Sequence, residues 1–88
     1  MDVRIVVIDK GFIVVGVFSH AADTVIVERA VFVRRWGTRR GLGELAAAPA
    51  LGILDPGGDL HVPLHAYVFS IPVDAQLWLP YLMAPMAS

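Results

Sequence analysis

The sequence predicts a mainly β domain: a four- to five-stranded antiparallel meander forming a small barrel or half-barrel, with one short helix after the third strand. Three observations point there. β-Branched and aromatic residues fill the first 35 positions in runs separated by short polar breaks. One Ala-rich stretch, Leu42 to Ala48, switches to helical spacing. Prolines and glycines then interrupt the remainder at close intervals.

In chain order, Val3 to Ile8 and Phe12 to Phe18 read as two strands joined by Asp9-Lys10-Gly11, where Gly11 supplies the positive φ of a tight turn. Gly16 inside the second strand predicts a bend or a close backbone approach. Ser19 to Asp23 is a polar connection, and Thr24 to Arg35 a long third strand. In that strand Val25, Val27, Arg29, Val31 and Val33 occupy odd positions, while Ile26, Glu28, Ala30, Phe32 and Arg34 occupy even ones. Neither face is cleanly polar, so both should be covered, and a second subunit is the expected cover. Leu42, Leu45 and Ala46 then share a helix face, and Pro49 stops the helix. Thr38 is its candidate cap, although Gly41 and Gly43 loosen that start.

Ala50 to Asp59 reads as a loop with DPGGD, residues 55 to 59, as its tightest turn. Leu60 to Ile71 reads as extended, with Pro63 demanding an edge position because it cannot donate to a ladder. Asp74 resembles an N-cap for a short segment, Ala75 to Leu79, which Pro80 kinks or ends. Residues 1–82 form one β-rich domain in this reading, and 83–88 a flexible or partner-docking tail.

Of the 88 residues, 57% are hydrophobic and 17% charged, against about 25% charged in an average domain. A chain this short has little interior, so the apolar excess predicts a homo-oligomer. Cysteine is absent, and no His/Cys cluster offers structural zinc. The longest uncharged runs, Leu60 to Val73 and Ala75 to Ser88, are 14 residues each and broken by Pro, short of the about 20 that a spanning helix needs. No membrane partner, export signal or cofactor is expected, and the expected location is cytoplasmic. Residues 1–40 hold all seven basic residues and four acids, a balance of +3; residues 41–88 hold four acids and no Lys or Arg, a balance of −4. Such a chain is a poor general nucleic-acid coat.

Four of the seven basic residues fall within residues 34–40. Arg34, Arg35, Arg39 and Arg40 bracket Trp36 and Thr38, and together these six are the candidate ligand-binding residues. Guanidinium groups take phosphate or carboxylate bidentately, and an indole face stacks on a base. That combination suits a nucleotide, although the spacing is not that of a phosphate loop. Equally open is a purely structural arrangement, with Trp36 in the core and the arginines paired to Glu28, Glu44 or a neighbouring subunit's acids. His61 and His65 share a strand face but sit about 13 Å apart along an extended chain, too far for one metal. The hydroxyls Ser19, Thr24, Thr38, Ser70 and Ser88 lie in no nucleophile context, and Asp55 and Asp59 read as turn stabilisers. Neither a catalytic residue nor a metal ligand is assigned, and the chain is read as a non-enzyme.

Ala30, Arg34-Arg35-Trp36-Gly37, then Gly41-Leu42-Gly43-Glu44-Leu45-Ala46, then Asp55-Pro56 form a block that resembles a family of small uncharacterised proteins from phages and prophages. The opening VRIVVIDKGFIVVGVF is similar in style; the C-terminal tail departs from it. The family brings no activity with it. The resemblance implies a phage-encoded accessory protein in the bacterial cytoplasm, concerned with host takeover or counter-defence. Two further expectations stand beside nucleotide binding: a protein–protein inhibitor or assembly component that docks on a host or phage protein, and nucleic-acid binding.

Overall fold

The computed structural model describes residues 2–35, 42–49 and 53–82. Five strands, β1 (Val3–Ile8), β2 (Phe12–Ala21), β3 (Thr24–Arg35), β4 (Ile53–Pro63) and β5 (Tyr67–Pro72), form one antiparallel sheet. Helix α1 (Leu42–Ala47) follows β3, and α2 (Ala75–Leu82) follows β5. The mainly β architecture and the helix after the third strand therefore stand. At the first turn, Gly11 takes φ +83° as its position requires, and Lys10 joins it at 64°.

Four expectations are corrected. The sheet order is β4-β3-β2-β1-β5, so the sheet is open; of the two forms expected, the closed barrel is not met. The first four strands make the meander, but β5 crosses to the far edge and pairs with β1. DPGGD is no loop. It runs inside β4, where Pro56 pairs with Val31 and Gly58 with Ala30. A Cβ on Gly57 would sit 2.8 Å from the Phe32 ring, and Gly58 has φ +74°. These glycines serve bulges and close approach where the sequence suggested chain reversal. The Leu60 to Ile71 stretch is divided by a single 3₁₀ turn, Leu64–Ala66. Finally, a second helix is present: α2 continues through Pro80, whose ring is exposed and so leaves the Gln76 carbonyl free to turn to water.

β3 resolves the puzzle its sequence posed. Val15 pairs with Val31 and Val17 with Glu28, so Gly16 alone on β2 faces Arg29 and Ala30. On the other side Val27 pairs with Leu60 and Ala30 with Gly58, so Asp59 alone on β4 faces Glu28 and Arg29. β3 thus carries one extra residue relative to both neighbours. Arg29 absorbs it with φ 53°, and its N–H donates to the Asp59 Oδ1 at 2.9 Å. An extra residue reverses the alternation of faces. Val25 and Val27 therefore bury on one face with Ala30, while Val31 and Val33 bury on the other. Gly16 admits this crowding, since a Cβ there would lie 2.6 Å from the Val27 Cγ1 and 2.8 Å from the Glu28 carbonyl oxygen.

Two cores result, one on each face. The first joins Val3, Ile5, Ile13, Val15, Val31 and Val33 to Leu45 of α1 and to Trp78 and Leu82 of α2. Asp74 anchors α2 there: its Oδ1 accepts the Gln76 N–H at 2.9 Å, the N-cap bond expected from the sequence. The second core holds Val6, Val14, Val25, Val27, Ala30 and Val62, ringed by Ile8, Phe18, Phe32, Leu60, Ala66 and Tyr67. All of these lie on strands or on the 64–66 turn, so the sheet curls over its own face. Phe18 and Tyr67, on strands separated by β1, bring their rings within 6.1 Å. Both faces of β3 are thus covered by the chain itself, which removes one sequence argument for a second subunit.

Candidate anion-binding corner

β3 delivers the first two candidate residues to the end of the sheet. Arg34 projects from its last turn of pleat, two-thirds exposed, and meets Asp55 of β4. Nε donates to the Asp55 Oδ2 at 2.9 Å and Nη2 to Oδ1 at 3.0 Å, a bidentate fork. Register explains the meeting: Phe32 pairs with Asp55 and Val33 with Leu54. The partner is Asp55, an acid expected to stabilise a turn. Solvent holds such a pair to about 0–1 kcal/mol, so a stronger anion can compete for this guanidinium. Arg35 closes the strand opposite Ile53.

Trp36, Thr38, Arg39 and Arg40 lie outside the described residues, as does the tail 83–88. The chain therefore leaves β3 at Arg35 and re-enters at α1, whose Leu45 is fully buried. With six residues, α1 adds little dipole field to an anion site. On the opposite, helix-covered face the sheet meets the end of α2, where Leu54, Pro56, Tyr81 and Leu82 help to line an apolar pocket of about 240 Å³.

The sequence reading missed the indole at the centre of the first core. Trp78 is wholly buried and its Nε1–H donates to the Ala46 carbonyl at 2.9 Å, tying α2 to α1. The signal was present in the spacing of Ala75, Trp78 and Leu82, which share one helix face. A second cationic cluster was also missed. The Arg4 Nε pairs with the Asp2 Oδ1 at 2.9 Å, Nη1 donates to the Ser70 Oγ at 3.0 Å, and the guanidinium carbon sits 4.5 Å from the Phe18 ring centre. Asp2 holds the Arg4 pKa above its ordinary value. Tyr67 also donates to the Ser70 Oγ, at 2.8 Å.

The remaining polar residues have local employment. Asp59 takes the Arg29 N–H and Asp9 the Lys10 N–H. His61 and His65, with the 64–66 turn beginning between them, border one open depression of about 730 Å³ with Asp23 and Pro63. Among the described residues, no three His, Cys, Asp or Glu side chains are arranged to hold a metal ion, and no helix is long and apolar enough to cross a membrane. The chain matches no protein-family model, no curated protein and no solved structure.

Proposed function

We propose that the chain is a non-enzymatic, phage-encoded accessory protein of the bacterial cytoplasm. It self-associates and binds an anionic ligand, a nucleotide in the first instance, through Arg34, Arg35, Trp36, Thr38, Arg39 and Arg40. One observation carries the reading: residues 34–40 hold four guanidinium groups and an indole with no acid among them, at the end of the longest strand. Asp55 engages Arg34 through an exposed pair that a phosphate can displace. Self-association is supported by the large apolar side chains left in water, Phe12, Val68, Phe69 and Leu77. Host takeover or counter-defence is the role that the resemblance supplies.

Native mass spectrometry of freshly purified protein gives subunit count and any retained nucleotide in one measurement. Arg39→Glu combined with Arg40→Glu should weaken nucleotide binding by about tenfold or more, with the subunit count unchanged. Unaltered binding removes this corner as the site.

The same exposed apolar side chains favour a second reading, a protein–protein inhibitor or assembly component without a small ligand. It predicts a partner whose capture is lost when Val68 and Phe69 are made polar but is indifferent to the arginines. Nucleic-acid binding, the third reading, predicts affinity that falls steeply with salt.

A further inference from the structure

We propose that the chain meets a second copy of itself along the β5 edge, by antiparallel β5–β5 pairing about a two-fold axis at Ser70. The proposal rests on the self-association reading above and gives it a location. It begins from the two edges of the open sheet, β4 and β5, neither of which pairs with another strand among the described residues. The β4 edge is protected. It carries Asp55 and Asp59, Pro56 and Pro63, and register breaks that bend it against β3. The β5 edge is less defended: it has one proline, Pro72, and one register shift against β1, but YVFSIP is uncharged and lies in the second half of the Leu60 to Val73 run without Asp, Glu, Lys or Arg. Val68 is 57% and Phe69 46% exposed. An unpaired, neutral, apolar edge is a template for another strand.

Charge identifies that strand. Across a two-fold axis each residue near the centre faces its own equivalent, so any charge there would repel itself. The residues of β5 meet this condition, and the Arg4 guanidinium that reaches Ser70 is balanced by Asp2; β4, with two carboxylates, does not. Backbone alternation locates the axis. The Val73 N–H donates to the Val3 carbonyl at 3.0 Å, and Ile71 and Phe69 stand opposite Ile5 and Val7 at two-residue steps along the same ladder. The N–H and C=O of Ser70, between them, therefore turn away from β1. Pro72 has no N–H to offer. A pair centred on Ser70 exchanges two backbone hydrogen bonds and joins two five-stranded sheets into one. Its side chain does not obstruct, because Arg4 and Tyr67 hold the Oγ over the sheet face. A six-residue seam buries less than the about 1,600 Å² of a standard interface, so the dimer dissociates on dilution.

Sedimentation of the whole chain from about 1 to about 300 μM is the first measurement. A concentration-dependent dimer is expected; a single subunit throughout overturns both the edge and the self-association beneath it. Val68→Lys should weaken the dimer by about tenfold or more, with thermal unfolding little changed, while His61→Lys on β4 should leave it intact. The opposite ranking overturns the β5 edge but not self-association. The chain holds no cysteine, so Ser70→Cys under mild oxidation should link two copies rapidly, since facing Cα atoms fall within disulfide reach. Linkage no faster than that of His61→Cys overturns the axis, and this result decides the matter if Val68→Lys fails to fold.

Discussion

The two faces of the sheet bury comparable side chains by different means. One face is roofed by helices: α1 and α2 bring Leu45, Trp78 and Leu82 onto Ile5, Ile13 and Val15, and the Trp78 indole bonds the two roof elements together. Among the described residues, no helix covers the other face. Val6, Val14, Val25, Val27 and Val62 are sealed by the sheet's own curl, with Phe18 and Tyr67 at its rim. The difference shows what each core depends on. The first depends on large side chains arriving from outside the sheet; the second depends on backbone shape, set by the extra residue at Arg29 and by glycines at positions 16 and 57.

Removing the roof tests the comparison most severely. Trp78→Ala deletes the largest buried side chain among the described residues and the bond to Ala46, and should cost about 3–5 kcal/mol, a large part of the about 5–15 kcal/mol a domain holds. Urea unfolding reads it, and a loss below that of a core valine would contradict the central place given to Trp78. Val27→Ala empties a smaller space in the curled core, and about 1.5–3 kcal/mol is expected. The loss should be transmitted to the rim, so fluorescence of Tyr67 should change as well.

The smallest effect concerns the shape-setting residue itself. Arg29 sits at positive φ, where an L side chain costs about 1–2 kcal/mol and glycine nothing steric. Arg29→Gly should melt above Arg29→Val, both having lost the arginine side chain. Equal destabilisation by both would mean that the side chain, and not the turn of the backbone, holds the bulge.

Local signals were legible and long-range ones were not. Val3–Ile8 and Thr24–Arg35 appear with the limits that their β-branched runs set, and α1 lies between Leu42 and the proline that stops it. Gly16 marks the close approach its position in a strand implied. By contrast, DPGGD carries every local sign of a turn and yet lies in a strand, because bulges use the same residues as reversals. Misreading it hid the β3–β4 register, and with it the meeting of Arg34 and Asp55. The choice of β1 as neighbour to β5 has no local signal at all, since strand partners are decided by tertiary packing. Of the candidate corner, the sequence gives the charge density directly; the ion pair that Arg34 makes needed the register.

The doubled residue at Arg29 also decides how the chain tolerates lost length. Deleting that residue would remove the bulge and restore plain alternation, with Val25 and Val27 still on one face and Val31 and Val33 still on the other. Shortening the strand at Arg29 should therefore be tolerated. The same loss at Phe32, beyond the bulge, would turn the end of the strand over, take Val33 off the helix-covered face and drive Arg34 beneath the helices. That deletion should abolish folding, so the bulge marks a place where β3 has a residue to spare.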